Sequence, residues 1–172
     1  SEDGPMTAHI TTERLTLRRP EMADAAAIAS LVGDLDVSRW LTRAPHPYGL
    51  SDAYDFVSAV QGGNGNTFGI CVGTQLVGCI GTEGQLGYWL GKNHWGCGYA
   101  TEACRAMITR HFAQGHDEVL SGYFVENTAS KHVLGKLGFT PTSQEQARCP
   151  ATGDCHVLQR MVLTQSHWET RA

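Results

Sequence analysis

The run Gly87-Tyr88-Trp89-Leu90-Gly91-Lys92-Asn93-His94-Trp95-Gly96-Cys97-Gly98-Tyr99-Ala100-Thr101-Glu102-Ala103 constrains the fold more than any other part of the chain. It reads as an aromatic and aliphatic strand, a glycine-punctuated loop and the first turn of an amphipathic helix. A helix N-terminus leaves several backbone N–H groups without partners and carries a partial positive charge. Glycines at 96 and 98 remove side-chain bulk, so a phosphate can sit directly on those amides. The segment therefore predicts a cradle for a phosphorylated cofactor. It is not a Walker A loop, which needs Gly-Lys followed by Ser or Thr. Nor is it a dinucleotide fingerprint, which needs three spaced glycines in an early βαβ unit and an acidic residue about 20 positions later.

The rest of the pattern predicts α+β architecture. Residues 12–18 alternate as a half-buried strand, and Pro20 opens an alanine-rich helix over 22–32. A second short helix or turn is expected over 37–41. Ser51 is expected to cap a third helix ending near Val60, with Tyr54, Phe56, Val57 and Val60 as its apolar face. Three strands follow, over 67–72, 75–82 and 85–90, joined by two-residue turns at Gly73-Thr74 and Glu83-Gly84. Ala100, Ala103, Cys104, Met107, Ile108 and Phe112 recur at helical spacing, and Gly115 ends that helix. A strand over 118–125, a helix capped by Asn127 and ended by Gly138, and a closing hairpin over 142–148 and 156–163 complete the order βαα(α)βββαβαββ. At 172 residues this is expected to be one domain over 9–168, behind a flexible leader at 1–8.

Composition narrows the function. A net charge of −4 and the absence of a basic stripe argue against a nucleic-acid partner. No apolar run is long enough to span a bilayer, and no signal segment opens the chain, which predicts a cytoplasmic protein without a membrane partner. The six cysteines form no Cys-x-x-Cys pair and read as reduced thiols. Cys149 and Cys155 could meet across the last hairpin, or stand as two unlinked strand residues. Without a His-Glu-x-x-His pattern, no metal site is expected.

A second segment carries chemistry: Glu126-Asn127-Thr128-Ala129-Ser130-Lys131-His132-Val133-Leu134-Gly135-Lys136-Leu137-Gly138-Phe139. Asn127 can cap the helix and also project an amide toward a ligand beside the strand end. Together the two segments resemble the GNAT acetyltransferases. Trp95, Gly98 and Ala100 stand at the defined positions of that family's Gln/Arg-x-x-Gly-x-Gly/Ala loop, with Trp95 departing from the usual residue. The Tyr-Trp-Gly-x-Gly-Tyr-Ala-Thr-Glu-Ala-like run is similar to the branch of ribosomal-protein N-terminal acetyltransferases. The second segment resembles the family's Asn-x-x-Ala/Ser-x-x-Val/Leu-x-x-Lys-x-Gly-Phe signature. Weaker resemblance extends over 13–41.

The resemblance implies an α/β/α sandwich with a mixed, mostly antiparallel sheet whose central strands splay. It implies an enzyme moving an acetyl group from acetyl-CoA to a primary amine by direct attack in a ternary complex, as a monomer or homodimer. The implied acceptor is a protein or peptide N-terminal α-amine; a small amine (polyamine, amino acid or antibiotic) and a non-catalytic CoA-binding module are the alternatives. Backbone of Trp89, Leu90 and Gly91 is expected to pair with pantetheine. Trp95, the amides of Gly96, Cys97, Gly98, Tyr99 and Ala100, the Thr101 hydroxyl, Asn127 and Ser130 complete the expected CoA site. Many members take their acid from a tyrosine in the Asn-led helix, where this chain has Leu134, so the resemblance shifts the acid to Ser130, acting directly or through water. The base stays open. Gln85 stands where relatives carry glutamate; Glu83 is the nearest carboxylate, with Asp34, Asp36, Glu126 or a water relay as alternatives. Trp40, Tyr88 and Gln85 are expected to line the acceptor pocket.

Overall fold

The computed structural model describes residues 9–170, so the leader expected at 1–8 lies outside the described residues. A five-stranded antiparallel sheet runs in the order β1 (Ile10–Thr11), β2 (Thr16–Arg18), β3 (Thr67–Val72), β4 (Gln75–Gly81) and β5 (Gly87–Leu90). A three-stranded sheet places β8 (Cys155–Thr164) between β6 (Glu118–Phe124) and β7 (Thr140–Arg148). Helices α1 (Ala25–Val32), α2 (Leu35–Ser38) and α3 (Leu50–Gln61) precede β3. Helix α4 (Tyr99–Ala113) follows β5, α5 (Thr128–Leu137) follows β6, and α6 (Gln165–Thr170) follows β8.

Helices cover both faces of the first sheet, which is why β4 is buried from Leu76 to Ile80 without the alternation of a one-sided strand. On one face Leu17, Ile70, Val77 and Ile80 pack with Cys104, Met107 and Ile108 of α4 and Leu134 and Leu137 of α5. On the other, Cys71, Leu76 and Cys79 meet Ala25, Ile28 and Val32 of α1 and Ala53 and Val57 of α3. This is the expected α+β sandwich.

The two sheets meet at one parallel bridge, Leu86 with Ser121. The Leu86 N–H donates to Leu120 O at 2.7 Å, and the buried Ser121 hydroxyl donates to Leu86 O at 2.8 Å. Beyond Leu86, β5 and β6 form no pairing with each other, so the central strands diverge toward their C-terminal ends.

Several local expectations need correction. The first strand is interrupted, because the Thr12 hydroxyl accepts from Leu15 N–H at 3.1 Å and closes a turn between β1 and β2. Pro20 does not open the first helix. Glu21 precedes a 3-10 turn at Met22–Asp24, and the Asp24 carboxylate accepts the Glu21 N–H at 2.7 Å. Asp34 caps α2, moving it ahead of the expected 37–41. Gly49, not Ser51, precedes α3, and Tyr54 is exposed while Ala53 joins Val57 inside. Gly81 pairs with Gly87, so the β4–β5 connection is five residues long and Gln85 lies outside the strand. Cys149 is buried against the Ser38 and Arg39 carbonyls, Cys155 is exposed, and neither forms a disulfide.

Candidate active site

The site is built on the C-terminal ends of β5 and β6. The Gly91 N–H bonds to Val77 O at 2.8 Å, which fixes the antiparallel alternation. Backbone groups of Trp89 and Gly91 turn toward β4, and those of Tyr88 and Leu90 turn into the gap. Of the three expected pantetheine partners, Leu90 alone presents its backbone there; the ladder to β4 occupies the other two. The outward Leu90 carbonyl accepts the Trp95 indole N–H at 2.9 Å. Trp95 thus returns a side-chain N–H to the strand that launched the loop.

A 3-10 turn at Lys92–His94 carries the chain to Gly96 and Gly98, at φ +72° and +82°. These left-handed conformations suit glycine and disfavour residues with a Cβ. A Cβ at Gly96 would meet nothing within 4 Å, so that side of the loop is open. Gly98 caps α4 without any side-chain hydrogen bond, leaving the first-turn amides of Tyr99, Ala100 and Thr101 with no intrahelical acceptor. A bare helix N-terminus beside an open glycine loop and an unpaired strand edge fits a long ligand with an anionic segment.

Arg14 secures this loop from the β1–β2 hairpin. Its Nη1 donates to Cys97 O at 2.7 Å and its Nε to Glu102 Oε1 at 2.7 Å, while its cation stands over the Tyr99 ring at 4.8 Å. Partial burial pushes the Glu102 carboxyl upward. Hydrogen bonds from the Thr12 hydroxyl, the Arg14 N–H and the Arg14 side chain outweigh it and hold the pKa below the usual carboxylate value.

Across the gap, Asn127 caps α5 by accepting the Ser130 N–H at 3.2 Å, which leaves its amide N–H groups as donors beside the β6 end. The Ser130 hydroxyl lies 2.9 Å from the Tyr88 hydroxyl. Burial drives the Tyr88 phenol well above its usual pKa, with the Ser130 hydrogen bond acting in the opposite direction.

The expected acceptor trio is divided. Tyr88 packs on the α4–α5 face. Trp40 packs against Phe124, Cys149 and Leu158, on the other face of β6. Gln85 accepts from Arg160 Nη1 at 2.7 Å, and Arg160 lies over Gly122 on that second face and also pairs with Glu145. Glu83 accepts the Asn66 N–H at 3.3 Å, at the end of β5 opposite the glycine loop. That location does not bring it to Ser130. Asp36 pairs with Lys92, and Glu126 lies 3.8 Å from His156. The sequence reading missed Arg14, Glu102 and Arg160, whose partners lie far along the chain.

Comparisons with known proteins identify the family. The acetyltransferase (GNAT) domain family matches residues 14–140. An "Uncharacterized N-acetyltransferase p20" of Bacillus licheniformis is 31% identical over 143 residues, 74% of this chain and 80% of that protein. The "Putative ribosomal N-acetyltransferase YdaF" of Bacillus subtilis (strain 168) is 27% identical over 174 residues, 91% of this chain and 94% of its own. A solved structure of RimL, a ribosomal L7/L12 α-N-protein acetyltransferase in complex with coenzyme A, superposes with a TM-score of 0.75 at 20% identity. It covers 91% of this chain and 98% of that one. At that identity the superposition speaks to fold alone. Family match, relatives and site geometry converge: the chain belongs to the GNAT acetyltransferase family and is an N-acetyltransferase.

Proposed function

We propose that this chain, as one domain over 9–168, transfers the acetyl group of acetyl-CoA to the α-amine of a protein or peptide N-terminus. The observation that carries the reading is the divergence of β5 from β6 beyond Leu86, with the bare α4 N-terminus at its open end. Its likeness to ribosomal acetyltransferases supports the choice of acceptor. Six unpaired cysteines support a reducing, cytoplasmic setting.

Acetyl-CoA, when bound, supplies the activated acetyl thioester. The amides of residues 96–101 hold its pyrophosphate, and the outward backbone of Tyr88 and Leu90 aligns its pantetheine arm. Holding donor and amine together removes much of the entropic barrier. An outward N–H of β5 stabilises negative charge that builds on the thioester oxygen. Ser130, oriented by Tyr88, donates a hydrogen bond to the departing sulfur and relays to it a proton drawn from water, so neither hydroxyl is left ionised. The base in this reading is a water relay, supported by the engagement of the Glu83, Asp34, Asp36 and Glu126 side chains with other groups.

The test is thiol release from acetyl-CoA against three acceptor sets: peptides with free N-termini, the same peptides Nα-blocked but bearing lysine, and small amines. Enzyme-only controls correct for the protein's own thiols. Turnover confined to free N-termini is expected. Turnover confined to small amines would move the acceptor class, and acetyl-CoA binding without turnover on any acceptor would reduce the chain to a binding module.

A further inference from the structure

We propose that Arg14 and Glu102 are positioning residues for the donor: their ion pair sets the orientation of the Cys97–Gly98 peptide and so aims the Gly98 amide at the pyrophosphate. This rests on the reading of the loop as the pyrophosphate site. The link is geometric. A trans peptide is planar, with its C=O and the following N–H pointing in opposite directions. The bond from Cys97 to Gly98 is trans, as the one cis bond among the described residues is His46–Pro47. Arg14 Nη1 holds Cys97 O at 2.7 Å, so the Gly98 N–H is turned away from Arg14 and toward the open side of the loop. Glycine at 98, with φ +82°, lets the peptide adopt that orientation, and a Cβ there would come within 3.1 Å of Arg14 Nη2.

Glu102 explains why Arg14 stays in place. An acidic side chain in the first turn of α4 stabilises the helix dipole but would repel an anion bound at the same terminus. Here the carboxylate is directed to the hairpin instead. It accepts the Arg14 N–H at 2.8 Å, the Arg14 Nε at 2.7 Å and the Thr12 hydroxyl. The guanidinium is thereby anchored on Glu102 and extends one remaining arm to Cys97 O. The β1–β2 hairpin becomes a brace for a loop more than 80 residues away.

A clamp and a simple charge effect predict opposite signs. If Arg14 acted only as positive charge near the phosphates, Glu102→Gln would remove a repelling carboxylate and tighten CoA. If the pair is a clamp, Glu102→Gln releases Arg14 and weakens it. The experiment measures the CoA dissociation constant by calorimetry. It also compares kcat/KM for acetyl-CoA with that for S-acetylpantetheine, which lacks the pyrophosphate and nucleotide, in wild type, Arg14→Gln and Glu102→Gln. Both variants are expected to bind CoA about tenfold more weakly, and the preference for acetyl-CoA over S-acetylpantetheine should fall by a similar factor. Tighter CoA binding by Glu102→Gln overturns the clamp. So does an equal loss with both donors, which would mean general damage to the fold. A wild-type protein that shows no preference between the two donors would overturn the pyrophosphate reading itself.

Discussion

The Tyr88 hydroxyl stands 2.9 Å from the Ser130 hydroxyl and links β5 to α5 at a gap the backbone leaves unpaired. One helical turn beyond Ser130, Leu134 is 1% exposed and apolar, so α5 offers no second hydroxyl at that position. Burial keeps the phenol protonated, and it can donate to Ser130 Oγ while the serine proton points into the gap. A thiol of ordinary pKa, about 8.5, is far more acidic than this phenol, so Tyr88 orients the serine and does not ionise. Tyr88→Phe should lower kcat by about threefold to tenfold, the scale of one hydrogen bond, with CoA affinity little changed. In a double-variant cycle its effect should vanish on a Ser130→Ala background. A Tyr88→Phe loss of the same size in both backgrounds would separate the two residues.

Gly98→Val tests the loop directly. A β-branched residue at φ +82° is strained, and its Cβ would press on the Arg14 guanidinium. We expect acetyl-CoA to bind about tenfold more weakly or worse, for a strain of roughly 1–2 kcal/mol or more. Calorimetric titration with CoA measures this, and an unchanged affinity would remove Gly98 from the cradle.

Trp95→Phe keeps an aromatic ring but deletes the donor to Leu90 O. The loss of one hydrogen bond, about 1 kcal/mol, should weaken CoA by roughly fivefold. The same titration decides it, and no change would leave Trp95 as a loop filler.

Much of the fold, with the glycine loop that leads into α4, was legible because its signals are local. Left-handed glycines, an Asn cap at α5 and a glycine stop act within a few residues, so the loop before α4 and both ends of α5 could be read directly. Distant side-chain pairings left no such trace. Arg14 meets Glu102 across 88 positions, and Tyr88 meets Ser130 across 42. Gln85 looked like a strand residue, yet its amide is held by Arg160 from β8, and pairing begins two residues later. Helix α6 went unseen because it has no buried stripe: Trp168 alone of its residues packs against the main core.

The Arg18–Asp24 pair ties β2 to the turn before α1 by two guanidinium–carboxylate contacts of 2.8 Å. The hydrogen bond from Arg18 is the main cause of the depressed Asp24 pKa; burial opposes it and the Glu21 N–H assists. Because the folded pKa lies below the ordinary value of 3.8, this stabilisation is complete above that pH and lost as pH falls through the depressed value. Asp24→Asn should cost about 2–3 kcal/mol near neutrality, somewhat under the loss for breaking a fully buried pair. It should also flatten the acid limb of stability, as read from urea midpoints across pH. A variant as acid-sensitive as wild type would contradict the assignment.

The bridge between Leu86 and Ser121 has a consequence for how the molecule behaves when empty. With the two sheets' backbones paired only at Leu86 and Ser121, the open flank of β5 is an unfinished edge, and on the proposed reading the donor would lie along it as a completing strand. Occupancy and folding are then thermodynamically coupled, because a ligand that binds only the folded chain raises its stability with the logarithm of its concentration. Acetyl-CoA supply would set not only how fast the enzyme works but also how much of it stays folded.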